Sequence, residues 1–187
     1  GKVTAVKEGT ATITVTTADG GKTATCNVTV TQSAYSISAT PTALNFDSET
    51  EGYTEAPAAQ TVTITNAGNR SVTVGLPTGT NYVITARTGF SGNTATLAPN
   101  GTAQFTVQPK TGLGVGSHSE TLTISGSNNT SASVALAFQV DSQQYLVTVN
   151  GSYAQTTGAG SYAKDATITI YAGTRSGYTF DKWTSED

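Results

Sequence analysis

His118 is the sole histidine and Cys26 the sole cysteine among 187 residues, so any proton relay or thiol chemistry would have to pass through one of these two positions. A Ser–His–acid arrangement would need His118, yet no G-x-S-x-G nucleophile turn exists; "GFSGN" at 89–93 has the wrong spacing. His118 stands in "GVGSHSETLTI", just before an alternating stretch, and reads as a residue at a strand edge. A single cysteine permits no internal disulfide and no multi-cysteine metal cage. Cys26 lies in "TATCNVTV", in phase with Val28 and Val30, and is expected to be buried as a small apolar side chain.

The remaining candidates are equally thin. The glycines of "TGLGVGSH" at 111–118 suggest a phosphate loop, but such loops need a helix to follow, and strand signals follow here. Asp47, Glu49, Glu51 and Glu55 crowd one loop, which reads as a solvated acidic loop because the spacing of a Ca²⁺-binding loop is missing. The sequence places no carboxylate pair for glycoside hydrolysis. Lys2, Lys7, Lys22, Lys110, Lys164 and Lys182 fall near turns or edges rather than inside apolar strands, which argues against Lys–Asn cross-links. Tyr153 and Tyr162 offer rings that stack on sugar faces, although tyrosine also packs routinely at sheet edges. No catalytic, cofactor-binding or metal-binding residue is assigned, and no cofactor is expected.

The elements that would have to position these groups are strands. Charged residues make up 11% of the chain, against a usual share of about 25%. Threonine fills about a fifth of the positions, and it favours a pleated, half-buried surface over a helix. No window carries a 3.6-residue apolar period, so the chain is expected to be all-β. A net charge of −3 with scattered basic residues argues against nucleic acid. No apolar run approaches a membrane span and no signal-peptide pattern opens the chain. The absence of methionine reads as an internal or processed piece of a longer polypeptide.

Residues 10–17 and 22–31 alternate with a period of two around Asp19-Gly20, whose residue types suit a tight hairpin. Ile13 and Val15 should share a face with Cys26, Val28 and Val30, leaving the threonines in water. An apolar face and unpaired edges recruit partners, so the hairpin is expected to pack on 33–141 or 142–187, or across a dimer. The stretch "GKVTAVKEGTATITVTTADGGKTATCNVTV" resembles the closing part of a group-2 bacterial immunoglobulin-like domain, which makes residues 1–32 an incomplete module.

Residues 33–141 are long enough for a complete sandwich. Strands are expected at 35–39, 43–46, 60–66, 71–76, 81–85, 94–97, 103–108, 119–125 and 131–140, with turns at 66–69, 98–101 and 126–130. The alternation names a core of Val62, Ile64, Val72, Val74, Phe105, Val107, Leu122, Ile124, Val134, Leu136 and Phe138. The motifs "LNF", "QTVTITNAGNRSVTV", "LAPNGTAQFTVQPKTGL" and "ETLTISG" resemble immunoglobulin-like modules of the Hydin and choice-of-anchor type, although Asp47 stands where that family often has glycine.

Residues 142–187 carry two alternating strands and then Tyr178, Phe180 and Trp183. The run "GYTFDKW" is similar to the internalin-type B-repeat signature. That resemblance implies aromatics packed into a small β core, in a module lacking its usual next strand. Few aliphatic residues support such a core, so the segment is expected to be ordered only by docking on the middle segment or a neighbour.

The fold class expected is therefore an immunoglobulin-like antiparallel β-sandwich flanked by incomplete β modules. The function expected is a non-catalytic spacer of a large bacterial cell-surface or secreted protein, holding other domains away from the envelope. Its partners would be neighbouring domains of the same polypeptide, with a host or matrix protein or a glycan if the chain is instead an adhesin or carbohydrate-binding module. A cleft holding His118 beside a carboxylate would favour an enzyme.

Overall fold

The structure, a computed structural model, describes residues 2–184. Gly1 and residues 185–187, the outer ends of the 1–32 and 142–187 segments, lie outside the described residues. The chain is all-β, with no helix among the described residues.

β1 (Gly9–Thr16) pairs antiparallel with β2 (Thr23–Val30), setting Ile13 opposite Cys26 and Val15 opposite Ala24. Directly opposed residues share a face, so Ala11, Ile13, Val15, Ala24, Cys26 and Val28 line one side while threonines and Asn27 line the other. The turn is closed by the Asp19 carboxylate, which accepts from the Thr17 hydroxyl and from the Gly21 amide at 3.0 Å. Those bonds, with the Thr17 hydroxyl first, lower the Asp19 pKa.

One expectation fails here: Cys26 is exposed rather than buried, and Val15 is 66% exposed. β1 and β2 form a sheet of their own, with no strand of 33–141 or 142–187 paired to them among the described residues. Alternation decides which side of a strand is apolar, whereas burial needs a second layer, and this chain places none over Cys26 and Val15.

The middle segment supplies that second layer for itself. One sheet runs β3 (Ile37–Thr40), β6 (Gln60–Asn66), β10 (Thr102–Pro109), β8 (Tyr82–Ala86). The facing sheet runs β4 (Ala43–Asn45), β13 (Thr130–Ala137), β12 (Glu120–Gly126), β7 (Val72–Gly75), β9 (Thr94–Leu97). A small third sheet joins β11 (Gly116–Ser117), β14 (Gln139–Asp141) and β5 (Glu49–Thr50). Pro41, which has no N–H for a ladder, separates β3 in the first sheet from β4 in the second.

The pairing is antiparallel except at two places. β4 runs parallel to β13, with Leu44 beside Leu136, and β5 runs parallel to β14. These partners come from opposite ends of the segment, so no tight turn forces them antiparallel. The stretch expected as one strand over 131–140 breaks at Phe138, where the chain leaves β12 and β4 for β11 and β5.

Every residue of the expected core is buried, from Val62 at 0% to Leu136 at 3% exposed. Ile37, Ala39, Leu44, Phe46, Tyr82, Ala95, Leu97, Ala103 and Val140 complete the cluster. Phe46, just after β4, and Tyr82, at the start of β8, bring their rings within 5.8 Å of each other. A single apolar interior between two packed layers is an immunoglobulin-like β-sandwich.

Beyond it, β15 (Gln144–Val147) pairs with β16 (Gly160–Ala163), placing Tyr145 opposite Tyr162. The alternating run at 166–171 is not a strand; it is held by bonds from the Tyr171 amide to the Thr157 carbonyl (3.1 Å) and from the Tyr153 amide to the Ala172 carbonyl (2.8 Å). No hydrogen bond links residues 144–184 to the sandwich among the described residues.

Candidate functional site

His118, Glu120, Tyr82 and Lys110 are taken up by the backbone of the sandwich itself. His118 follows β11, where its amide donates to the Phe138 carbonyl at 2.8 Å and its Nε2 lies 2.8 Å from the Gly114 carbonyl. The Glu120 carboxylate, two residues on, accepts from the Thr80 amide at 2.7 Å and the Asn81 amide at 3.1 Å. Tyr82 donates to the His118 carbonyl at 2.5 Å. Burial first, and the Glu120 charge second, push its hydroxyl pKa up to about 12. Lys110 Nζ donates to the Thr80 carbonyl at 2.5 Å. These contacts fasten the loops at one end of the sandwich, and no base faces a nucleophile among them.

The other candidates are also accounted for structurally. The glycine run leads into β11, a two-residue strand too short for alternation to announce. Glu49 belongs to β5, so the acidic loop is partly a strand edge. Among the described residues no cluster of three His, Cys, Asp or Glu side chains is placed to hold a metal. All six lysines are exposed. A shallow depression of about 410 Å³ on the outer face of β4, β12 and β13 is lined mainly by alanine, serine and threonine. Its one ionisable side chain is Glu120, whose oxygens already serve backbone amides.

The surface that does gather distinctive side chains lies in the last segment. Arg175 sits with its guanidinium carbon 4.0 Å from the Tyr178 ring centre and 5.1 Å from that of Tyr153. Phe180 and Trp183 lie 5.3 Å apart at 57°. Tyr178, Tyr153 and Phe180 are each more than half exposed, so they do not pack into a small core as the signature implied. Tyr162 is half-buried and donates to the Gly158 carbonyl at 2.9 Å, which leaves Tyr153 as the more accessible of the two expected sugar-stacking rings. Arg175 was not singled out by sequence; its position three residues before Tyr178 in "RSGY" was the available signal. An exposed cation–π contact is worth about 0.5–1 kcal/mol, enough to bias side-chain positions but not to order a segment.

Residues 145–187 match the divergent InlB B-repeat domain family. No curated protein matches the chain. Among solved structures, the chain is similar to the ASH/PapD-like domain of human CEP192 (PapD-like domain 7), at 11% identity and a TM-score of 0.43, over 57% of this chain and 87% of that one. It is also similar to a protein of unknown function from Porphyromonas gingivalis W83, at 13% identity and a TM-score of 0.41, over 71% of this chain and 66% of that one. The B-repeat match beside an immunoglobulin-like sandwich fits a module of a surface protein. No helix among the described residues is long and apolar enough to cross a membrane.

Proposed function

We propose that this chain is a non-catalytic spacer in a large bacterial cell-surface or secreted protein, holding other domains away from the envelope. In this reading 33–141 is the complete immunoglobulin-like unit, of the Hydin and choice-of-anchor type. Residues 1–32 belong to a group-2 bacterial immunoglobulin-like module and 142–187 to a B-repeat module. Its partners are the neighbouring domains of the same polypeptide, and its location is extracellular.

One observation carries the reading: β4 and β13, near the two ends of the middle segment, lie side by side and parallel. Pulling the ends apart drags these two strands in opposite directions along their length. Their cross-strand bonds are then loaded together in shear rather than opened one at a time. A segment wired this way transmits tension between its neighbours on either side. Uncharged threonine faces keep the flanking strands soluble without adding charge.

The test exchanges residues 33–141 of the parent surface protein for an unrelated sandwich of equal length. A spacer predicts unchanged display and adhesion. Loss of a binding activity would reassign the segment as an adhesin.

The second reading, a carbohydrate-binding or adhesin module, is favoured by the exposed Tyr153–Arg175–Tyr178 group and the Phe180–Trp183 pair. Aromatic faces beside a guanidinium suit the C–H and hydroxyl groups of a sugar. Glycan-array binding lost on Arg175→Ala would support it.

A further inference from the structure

Three Asx–Gly pairs occur in the chain: Asp19–Gly20, Asn100–Gly101 and Asn150–Gly151. Glycine has no side chain to shield its amide nitrogen, so in an unfolded chain these are the sites where that nitrogen most readily attacks the preceding side-chain carbonyl. The fold treats the three differently. Asp19 accepts from Gly21 and Thr17, while the Gly20 amide donates to the Thr17 carbonyl at 2.8 Å. The Asn100 amide donates to the Asn66 carbonyl at 3.0 Å and the Gly101 amide to the Ala98 carbonyl at 2.8 Å. The Gly101 carbonyl in turn accepts from the Asn66 amide at 3.0 Å, so the peptides on either side of the Asn100–Gly101 bond are pinned to buried Asn66, and the Gly101 nitrogen itself is held in a turn by Ala98.

Asn150 has none of this. It is exposed, and neither its side chain nor the Gly151 amide makes a hydrogen bond among the described residues. Gly151 turns through φ 72° in open space, with no atom within 4 Å of where a Cβ would stand.

We propose that Asn150 is a self-modification site, deamidating through a succinimide formed with Gly151. The Gly151 nitrogen bonds to the carbonyl carbon of the Asn150 side chain. The bond from that carbon to Nδ2 breaks, and ammonia leaves with the proton that the Gly151 nitrogen has lost. Water then opens either carbonyl of the ring, giving aspartate or isoaspartate and one new negative charge.

The isoaspartyl branch inserts a methylene into the main chain immediately ahead of a fixed point. Ser152 donates to the Tyr171 carbonyl at 2.7 Å and the Tyr153 amide to the Ala172 carbonyl at 2.8 Å. Ageing at Asn150 therefore acts on the anchor that holds Tyr153 against Arg175. This proposal is independent of whether the protein is a spacer or an adhesin.

The test ages the full chain in mildly alkaline buffer, folded and in urea, and follows the peptides by mass. In the folded chain the Asn150 peptide should gain about 1 Da at a rate roughly tenfold or more above the Asn100 peptide, whose reaction needs local opening. In urea the two rates should converge, because each pair is then read by its local sequence alone. Asn150→Gln should remove the fast step while leaving the slow one. Equal rates in the folded chain, or an unreactive Asn150 in a folded chain whose urea control reacts, would overturn it.

Discussion

Asn66 Nδ2 donates to the Leu97 carbonyl at 2.9 Å, tying the end of β6 in one sheet to the end of β9 in the other. The same nitrogen donates to the Arg70 carbonyl at 2.7 Å, and Oδ1 accepts from the Gly68 amide at 2.9 Å. A fully buried polar side chain with its bonds satisfied closes the turn and joins the layers at once. Asn66→Ala leaves those backbone groups without partners and is expected to cost about 3 kcal/mol. The check is a denaturant titration, with the midpoint lowered and the slope unchanged.

Phe105 is fully buried and Val15 is 66% exposed, so the two positions separate the sandwich from the hairpin. Phe105→Ala should destabilise the sandwich by about 3–5 kcal/mol. Val15→Ser should change the same transition by less than about 0.5 kcal/mol. A large effect at Val15 would mean that the hairpin face is covered in solution.

Tyr82 keeps its proton to about pH 12, against 10.0 for an ordinary tyrosine. An unfolded chain gives up that proton first. The stability contributed by the neutral hydroxyl is thus fully present below pH 10 and declines as pH rises through about 12. Tyr82→Phe should flatten this alkaline decline and cost about 1 kcal/mol at neutral pH through the bond to the His118 carbonyl. Thermal melts across the alkaline range, with the late tyrosine step followed by absorbance, measure both.

Cys26 is exposed on the apolar side of the hairpin. A thiol reagent should label it in the native protein at nearly the rate found in denaturant. Strong native protection would show a covering layer.

How much of this was legible in the sequence depended on the length of the pattern. Gln60–Asn66 and Thr94–Leu97 form strands with the expected bounds, and the alternation through Phe105 and Val107 named core residues correctly. Two-residue strands such as Glu49–Thr50 and Gly116–Ser117 hold no period to read, and their pairing comes from the neighbouring β14. Cys26 was misplaced because one strand's pattern contains nothing about the layer above it. The Tyr178, Phe180 and Trp183 motif marked the right residues, but their environment depends on contacts that spacing does not encode.

The most direct measurement of the central claim is single-molecule stretching of the full-length protein. The account predicts one cooperative rupture releasing about 35 nm, the extended length of the middle segment less its folded span, with no comparable event from the hairpin or from residues 144–184. Rupture at negligible force, or in several small steps, would mean that the β4–β13 pair does not hold the segment against tension and would contradict the spacer reading.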